Sequence, residues 1–194
     1  MVHSTFIAFS ATKVHGNLGE GMAAAVQPTR VPIEVYLKSS YEPDAEYADG
    51  VIEERPAALW DHANWHGAVD QFFGSRRTEF GIRVRPSLRI RTGPNTIRVP
   101  DVTVLDRNLP TEQVITHAPI AVVEILSPED SLNRMMTKLA DYDRMGIQTI
   151  LVLDPNGRHF RYLDGKLEPL PAEPFDLPGS ACRFDLSAIE KLLD

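Results

Sequence analysis

Two acids stand where a buried strand wants apolar side chains. In AVVEILSPED, residues 121–130, the side chains of Ala121, Val122, Val123, Ile125 and Leu126 suit a sheet interior, and Glu124 interrupts them. In RVPDVTVLD, Asp101 is likewise flanked by Val99, Val102 and Val104. An isolated carboxylate in such a place costs several kcal/mol, so each needs a partner. Two carboxylates brought together in a low-dielectric site cannot both stay ionised unaided. A divalent cation resolves that conflict, and oxygen ligands without a Cys or His cluster favour Mg2+ or Mn2+. Lys138 is the third candidate. It lies in a segment whose Leu132, Met135, Met136, Leu139 and Tyr142 form an apolar helical stripe. On a helical wheel it falls beside Tyr142 at the border of that stripe. Its stem can lie along the core while the ammonium reaches a strand end, where it could orient a water or stabilise charge developing on phosphorus. Bland readings stand beside these. Asp101 could cap a turn, Glu124 could be half of an ion pair with Arg98 or Arg134, and Lys138 could be a solvated helix residue.

The elements that would position these groups follow from periodicity. WDHANWHGAVDQFFGSRR predicts a helix, with Trp65, Val69, Phe72 and Phe73 at spacings of three and four and Gly74 near its end. A short helix is expected in VPIEVYLKSS, and the Asp49-Gly50 turn leads into a strand at Val51–Glu54. IRVRPSLRIR alternates apolar Ile82, Val84, Leu88 and Ile90 with Arg83, Arg85, Arg89 and Arg91, which predicts one strand with a buried and a basic face. Pro86 argues for an edge position or a bulge. IRVPDVTVLD and PIAVVEILS are the next strands, so the three resemble a β-meander with a long connection over 107–119. Ser127 is a plausible cap of the following helix, with Asp130 or Ser131 as alternatives, and Gly146 closes it. QTILVLDP, entered after that crossover helix, is expected parallel to the Glu124 strand. The Asn156-Gly157 turn starts a hairpin strand; residues 166–180 read as irregular, and DLSAIEKLL as a terminal helix. The order is that of an α/β domain around a mixed sheet.

Composition bounds the partners. The 194 residues carry a net charge of −7, which argues against coating nucleic acid through bulk charge. Positive charge is instead concentrated in residues 76–98, where seven arginines meet one acid, Glu79. That arginine face could hold backbone phosphates, or could simply be a solvated edge that discourages sheet association. A single cysteine, Cys182, excludes an internal disulfide. No apolar run is long enough to cross a bilayer, no signal peptide is evident, and the cytoplasm is the expected location. Residues 1–30 read as a flexible arm and 31–194 as one domain.

From about Val31 to Leu163 the chain resembles the PD-(D/E)XK nuclease superfamily, and more closely a restriction-endonuclease-like family abundant in cyanobacteria, the Uma family. The motifs that carry the likeness are EYADG, RVPDVTVL, APIAVVEILSPED and KLADYDRMGIQTILVLDP, together with the histidine of the first long helix. The resemblance implies a restriction-endonuclease-like αβββαβ core with a mixed β-sheet flanked by helices. It implies a metal-dependent endonuclease acting on nucleic acid, with DNA the expected substrate. Asp101 and Glu124 match the motif acids and metal ligands. The motif lysine usually sits two residues after the glutamate, where this chain has Leu126; in this family it has moved to the following helix, where Lys138 matches. His66 and Glu46 match further family positions, although His66 reads equally well as a core-edge histidine. The resemblance also allows a homodimer. The alternative function is a catalytically idle relative that binds nucleic acid or protein.

Overall fold

The computed structural model describes residues 30–194 apart from 43 and 56–57. The arm expected over residues 1–30 falls, but for Arg30, outside the described residues. The chain runs α1 (Ile33–Leu37), β1 (Ala45–Ala48), β2 (Val51–Glu54), α2 (Trp60–Ser75), β3 (Ile82–Pro86), β4 (Ile90–Gly93), β5 (Thr96–Arg98), β6 (Val102–Asp106), β7 (Ala121–Ile125) and α3 (Leu132–Arg144). It continues through β8 (Thr149–Asp154), β9 (Arg158–Leu163), β10 (Lys166–Pro169), β11 (Phe175–Asp176), β12 (Arg183–Phe184) and α4 (Leu186–Glu190).

A six-stranded mixed sheet has the order β10-β9-β8-β7-β6-β3, and an antiparallel four-stranded sheet the order β2-β1-β5-β4. In the larger sheet β7 and β8 pair in parallel, as the crossover through α3 predicts, with Glu124 opposite Val152. Helices cover both faces of β7, so all five of its residues are buried. Alternation then sorts its side chains. Ala121, Val123 and Ile125 pack with Trp65, Phe72 and Phe73 of α2, while Val122 packs with Met135, Leu139 and Tyr142 of α3. Period two puts Glu124 on the α3 face with Val122. The Asp49-Gly50 hairpin has φ of +47° and +92°, the pair of left-handed residues that a tight two-residue turn requires.

Three expectations are corrected. Residues 82–91 form two strands in two sheets: β3 is the edge of the large sheet, and β4 is the edge of the small one. The chain crosses between them at Ser87, whose φ is +46°. IRVPDVTVLD likewise divides into β5 and β6, so Asp101 occupies the bend between strands of different sheets. Pro100 lacks the N–H that a continuous ladder would need. The stretch that read as irregular contains β10, paired with β9, and β11, paired with β12. Helix α3 begins at Ser131, whose side chain accepts from the backbone N–H of Arg134, while the Asp130 carboxylate accepts from Ser127 N–H. Among the described residues no helix is long and apolar enough to cross a membrane.

Candidate active site

Asp101 is fixed from every side. Its carbonyl accepts from His66 Nε2 at 2.9 Å and from Ser87 N–H at 3.1 Å. Its carboxylate accepts from Ile125 N–H at 2.8 Å and His62 Nε2 at 3.2 Å through Oδ2, and from Arg55 Nη2 at 2.5 Å through Oδ1. Burial pushes this carboxyl upward, but the His62 hydrogen bond and the charges of Lys138 and Arg55 outweigh burial and hold it down at about 2. The bend after Pro100 makes this possible. It frees Asp101 from the ladder and sets its head against the C-terminal end of β7.

Glu124 is gripped by α3. Lys138 Nζ lies 2.7 Å from Oε2, and the Tyr142 hydroxyl donates to Oε1 at 2.7 Å. Residues 138 and 142 are one turn apart on one helix face, so the pair reaches both oxygens without distortion. Burial nevertheless raises the Glu124 carboxyl to about 7, against the pull of Lys138 and with help from the negative charges of Asp101 and Glu46. Lys138 stays charged: the three carboxylates around it outweigh its desolvation. Its Nζ also meets Glu46 Oε1 at 2.9 Å and the Val99 carbonyl at 3.3 Å. The anticipated partners of Glu124 do other work. Arg98 pairs with Glu46, Glu53 and Asp141, and Arg134 donates to the Glu54 carbonyl.

Asp101, Glu124, Lys138, Glu46 and His66 therefore line one pocket of about 360 Å3 with Arg55, His62 and Arg134 among its walls. Glu46 is engaged by Lys138, Arg98 and the Val99 N–H, and His66 braces the Asp101 backbone. The strand arginines lie elsewhere. Arg83 donates to the carbonyls of Arg107 and Leu109, and Arg91 to those of Gly93 and Pro94. Arg89 pairs with Asp44 and stacks on the Tyr36 ring, and Arg85 donates to the Val84 carbonyl while its residue is exposed. Sequence reasoning missed Arg55, His62 and Tyr142. The spacing of His62 and His66, one helical turn apart, was the available signal; Arg55 offered none, because its contact to Asp101 spans 46 positions.

Among the described residues no group of three or more His, Cys, Asp or Glu is arranged to hold a metal ion. A zinc-type site built from protein ligands alone is therefore not formed by the described residues. Two carboxylates lining a pocket with room for water do suit Mg2+ or Mn2+, which takes one or two carboxylates and keeps several waters. The volume admits roughly ten waters at the density of the liquid. A carboxyl raised to about 7 by burial is also one that added positive charge would ionise.

Residues 33–180 match the Uma2 family, described as "Putative restriction endonuclease". A crystal structure of a "putative nuclease" from Anabaena variabilis superposes with a TM-score of 0.71 at 22% identity, covering 84% of this chain and 99% of that one. A cryo-EM structure of a DrdV–DNA complex shares 18% identity over 65% of this chain and 10% of its own, with a TM-score of 0.38. No curated protein matches the sequence.

Proposed function

The chain belongs to the Uma2 family of restriction-endonuclease-like proteins, and from that membership and the pocket we propose that it is a metal-dependent endonuclease hydrolysing phosphodiester bonds in DNA. One observation carries the reading: Asp101, Glu124 and Lys138, remote in sequence, line the same pocket, with Lys138 Nζ 2.7 Å from Glu124. In this reading Asp101 and Glu124 hold Mg2+ or Mn2+. When bound, the cation supplies positive charge to phosphoryl oxygens and acidifies the water of its shell. Lys138 has three acceptors for its three N–H groups, so it serves the reaction by exchanging one of them for water or for a phosphoryl oxygen. Glu46 keeps Lys138 charged, and His66 holds the Asp101 backbone. Arg83, Arg85, Arg89 and Arg91 contact the DNA backbone outside the pocket, and of these Arg85 and Arg91 are exposed. Residues 31–194 act as one domain, and cutting both strands of a duplex would call for a homodimer.

A second reading has its own support. Every carboxylate oxygen of Asp101 and Glu124 already has a donor from the chain: Arg55, His62, Ile125, Lys138 or Tyr142. Such a network can be purely structural, leaving a nuclease-fold protein that only binds nucleic acid or protein. Plasmid nicking separates the two. With Mg2+ or Mn2+ the wild type should convert supercoiled plasmid to open circle, and D101N, E124Q and K138A should each lose about 100-fold or more. Mg2+ should also raise the melting temperature of wild type and leave D101N unmoved. A wild type that neither nicks nor shifts selects the second reading.

A further inference from the structure

The pocket offers two guanidinium groups besides the residues assigned above. Arg55 follows β2; its side chain is 19% exposed, with Nη2 on Asp101 Oδ1 and Nη1 3.3 Å from Ser87 Oγ. Arg134 lies on the first turn of α3, four residues before Lys138 and eight before Tyr142, on the helix face that grips Glu124. Its side chain is 40% exposed, donates to the Glu54 carbonyl at 2.9 Å, and lies 3.7 Å from Glu53.

Building on the nuclease reading, we propose that Arg55 and Arg134 grip the non-bridging oxygens of the DNA phosphodiester that enters the pocket. Three observations carry this. Lys138 already has its role beside Glu124, so the unassigned permanent cations on the pocket wall are these two guanidinium groups. Among the described residues Arg55 Nε and Arg134 Nη1 have no hydrogen-bond acceptor, and a guanidinium fork matches a phosphate with parallel hydrogen bonds. Releasing Arg55 also leaves Asp101 in place, because Ile125 and His62 hold the other carboxylate oxygen. Arg83 and Arg91, by contrast, are not among the residues that line the pocket.

The test is binding of a short labelled duplex by anisotropy, without metal and as a function of salt. R55Q, R134Q and R55K are compared with wild type, and K166Q on exposed β10 serves as a control for loss of one surface charge. R55Q and R134Q should each weaken binding about tenfold, the loss of one charge-assisted contact, and lower the salt slope by about one. R55K should regain the slope but not the affinity, since an ammonium lacks the fork. K166Q should change neither. The Mg2+-induced rise in melting temperature should persist in R55Q and R134Q, which a residue needed merely to hold Asp101 would not allow. Duplex binding at wild-type strength in both variants overturns the proposal. It is overturned equally if inorganic phosphate raises the melting temperature of wild type but not of the variants while duplex affinity is unchanged. That outcome would reassign the pair to a small phosphate ligand. The two readings fail separately. A wild type that binds the duplex through this pair without nicking loses only the nuclease reading, whereas one that nicks while R55Q and R134Q bind normally loses only the phosphate grip.

Discussion

Glu124 and Asp101 share a pocket yet respond to burial in opposite ways. The Asp101 carboxylate has three donors and stays ionised; that of Glu124 has two and is pushed to about 7. The consequences for stability have opposite signs. Asp101, at about 2 against an ordinary 3.8, stabilises the fold above its ordinary value, and that contribution is lost as pH falls through 2. Glu124, raised from 4.5, favours the fold fully below 4.5, and the contribution is lost as pH rises through 7. Without metal, wild type should therefore lose stability relative to E124Q between about pH 5 and pH 8, by about 2 kcal/mol. Mg2+ should recover much of that loss, since a cation replaces the proton. Urea unfolding at several pH values in that window, with and without Mg2+, reads both effects. Parallel pH profiles for the two proteins would mean that Glu124 does not titrate there.

Helix α3 delivers Lys138 and Tyr142, so the position of its first turn matters for the site. Ser131 caps it, and S131A should cost about 1 kcal/mol. S127A should change stability by less than about 0.5 kcal/mol, because the contact at Ser127 uses its backbone N–H. Denaturation midpoints of the two variants decide between the caps; equal losses would refute the assignment to Ser131. The apolar stripe of this helix was legible because Met135, Leu139 and Tyr142 repeat at the helical period. Its start was not, since Ser127, Asp130 and Ser131 each satisfy the local rules for a cap. The same limit explains Asp101. Residues on both sides of Pro100 have strand character, and only pairing with distant strands decides that they belong to different sheets. The Arg83–Arg91 alternation misled for the same reason: β3 and β4 each keep the period, but the turn at Ser87 sends them to different partners. Asp101, Glu124 and Lys138 could be named from sequence, through apolar flanks and family pattern. Arg55 could not, because a contact made by a residue after a strand carries no period.

At the scale of the whole molecule, Arg98 ties the small sheet to the helix that carries Lys138. It lies in β5, and its guanidinium meets Glu46 of β1 at 3.0 Å, Glu53 of β2 at 2.8 Å and Asp141 of α3 at 2.7 Å. Glu46 passes the link to Lys138 through its other oxygen, and Arg144 also pairs with Asp141. The Arg98 and Glu46 side chains are 3% and 1% exposed, so water cannot replace a lost partner. Removing one member of such a buried network strands the others, at a cost of about 3–5 kcal/mol, a large share of the roughly 5–15 kcal/mol that stabilises a typical domain. R98M keeps the apolar length of the side chain and deletes the charge, so its urea midpoint isolates the ionic part. The same change in an E46Q background should cost less, because one stranded acid is then already neutral, and the difference measures the coupling. A loss below about 1 kcal/mol in R98M would mean that apolar packing alone joins the small sheet to α3. In that case the orientation of Lys138 toward Glu124 would have to come from Tyr142 and Leu139 rather than from the charge relay through Glu46.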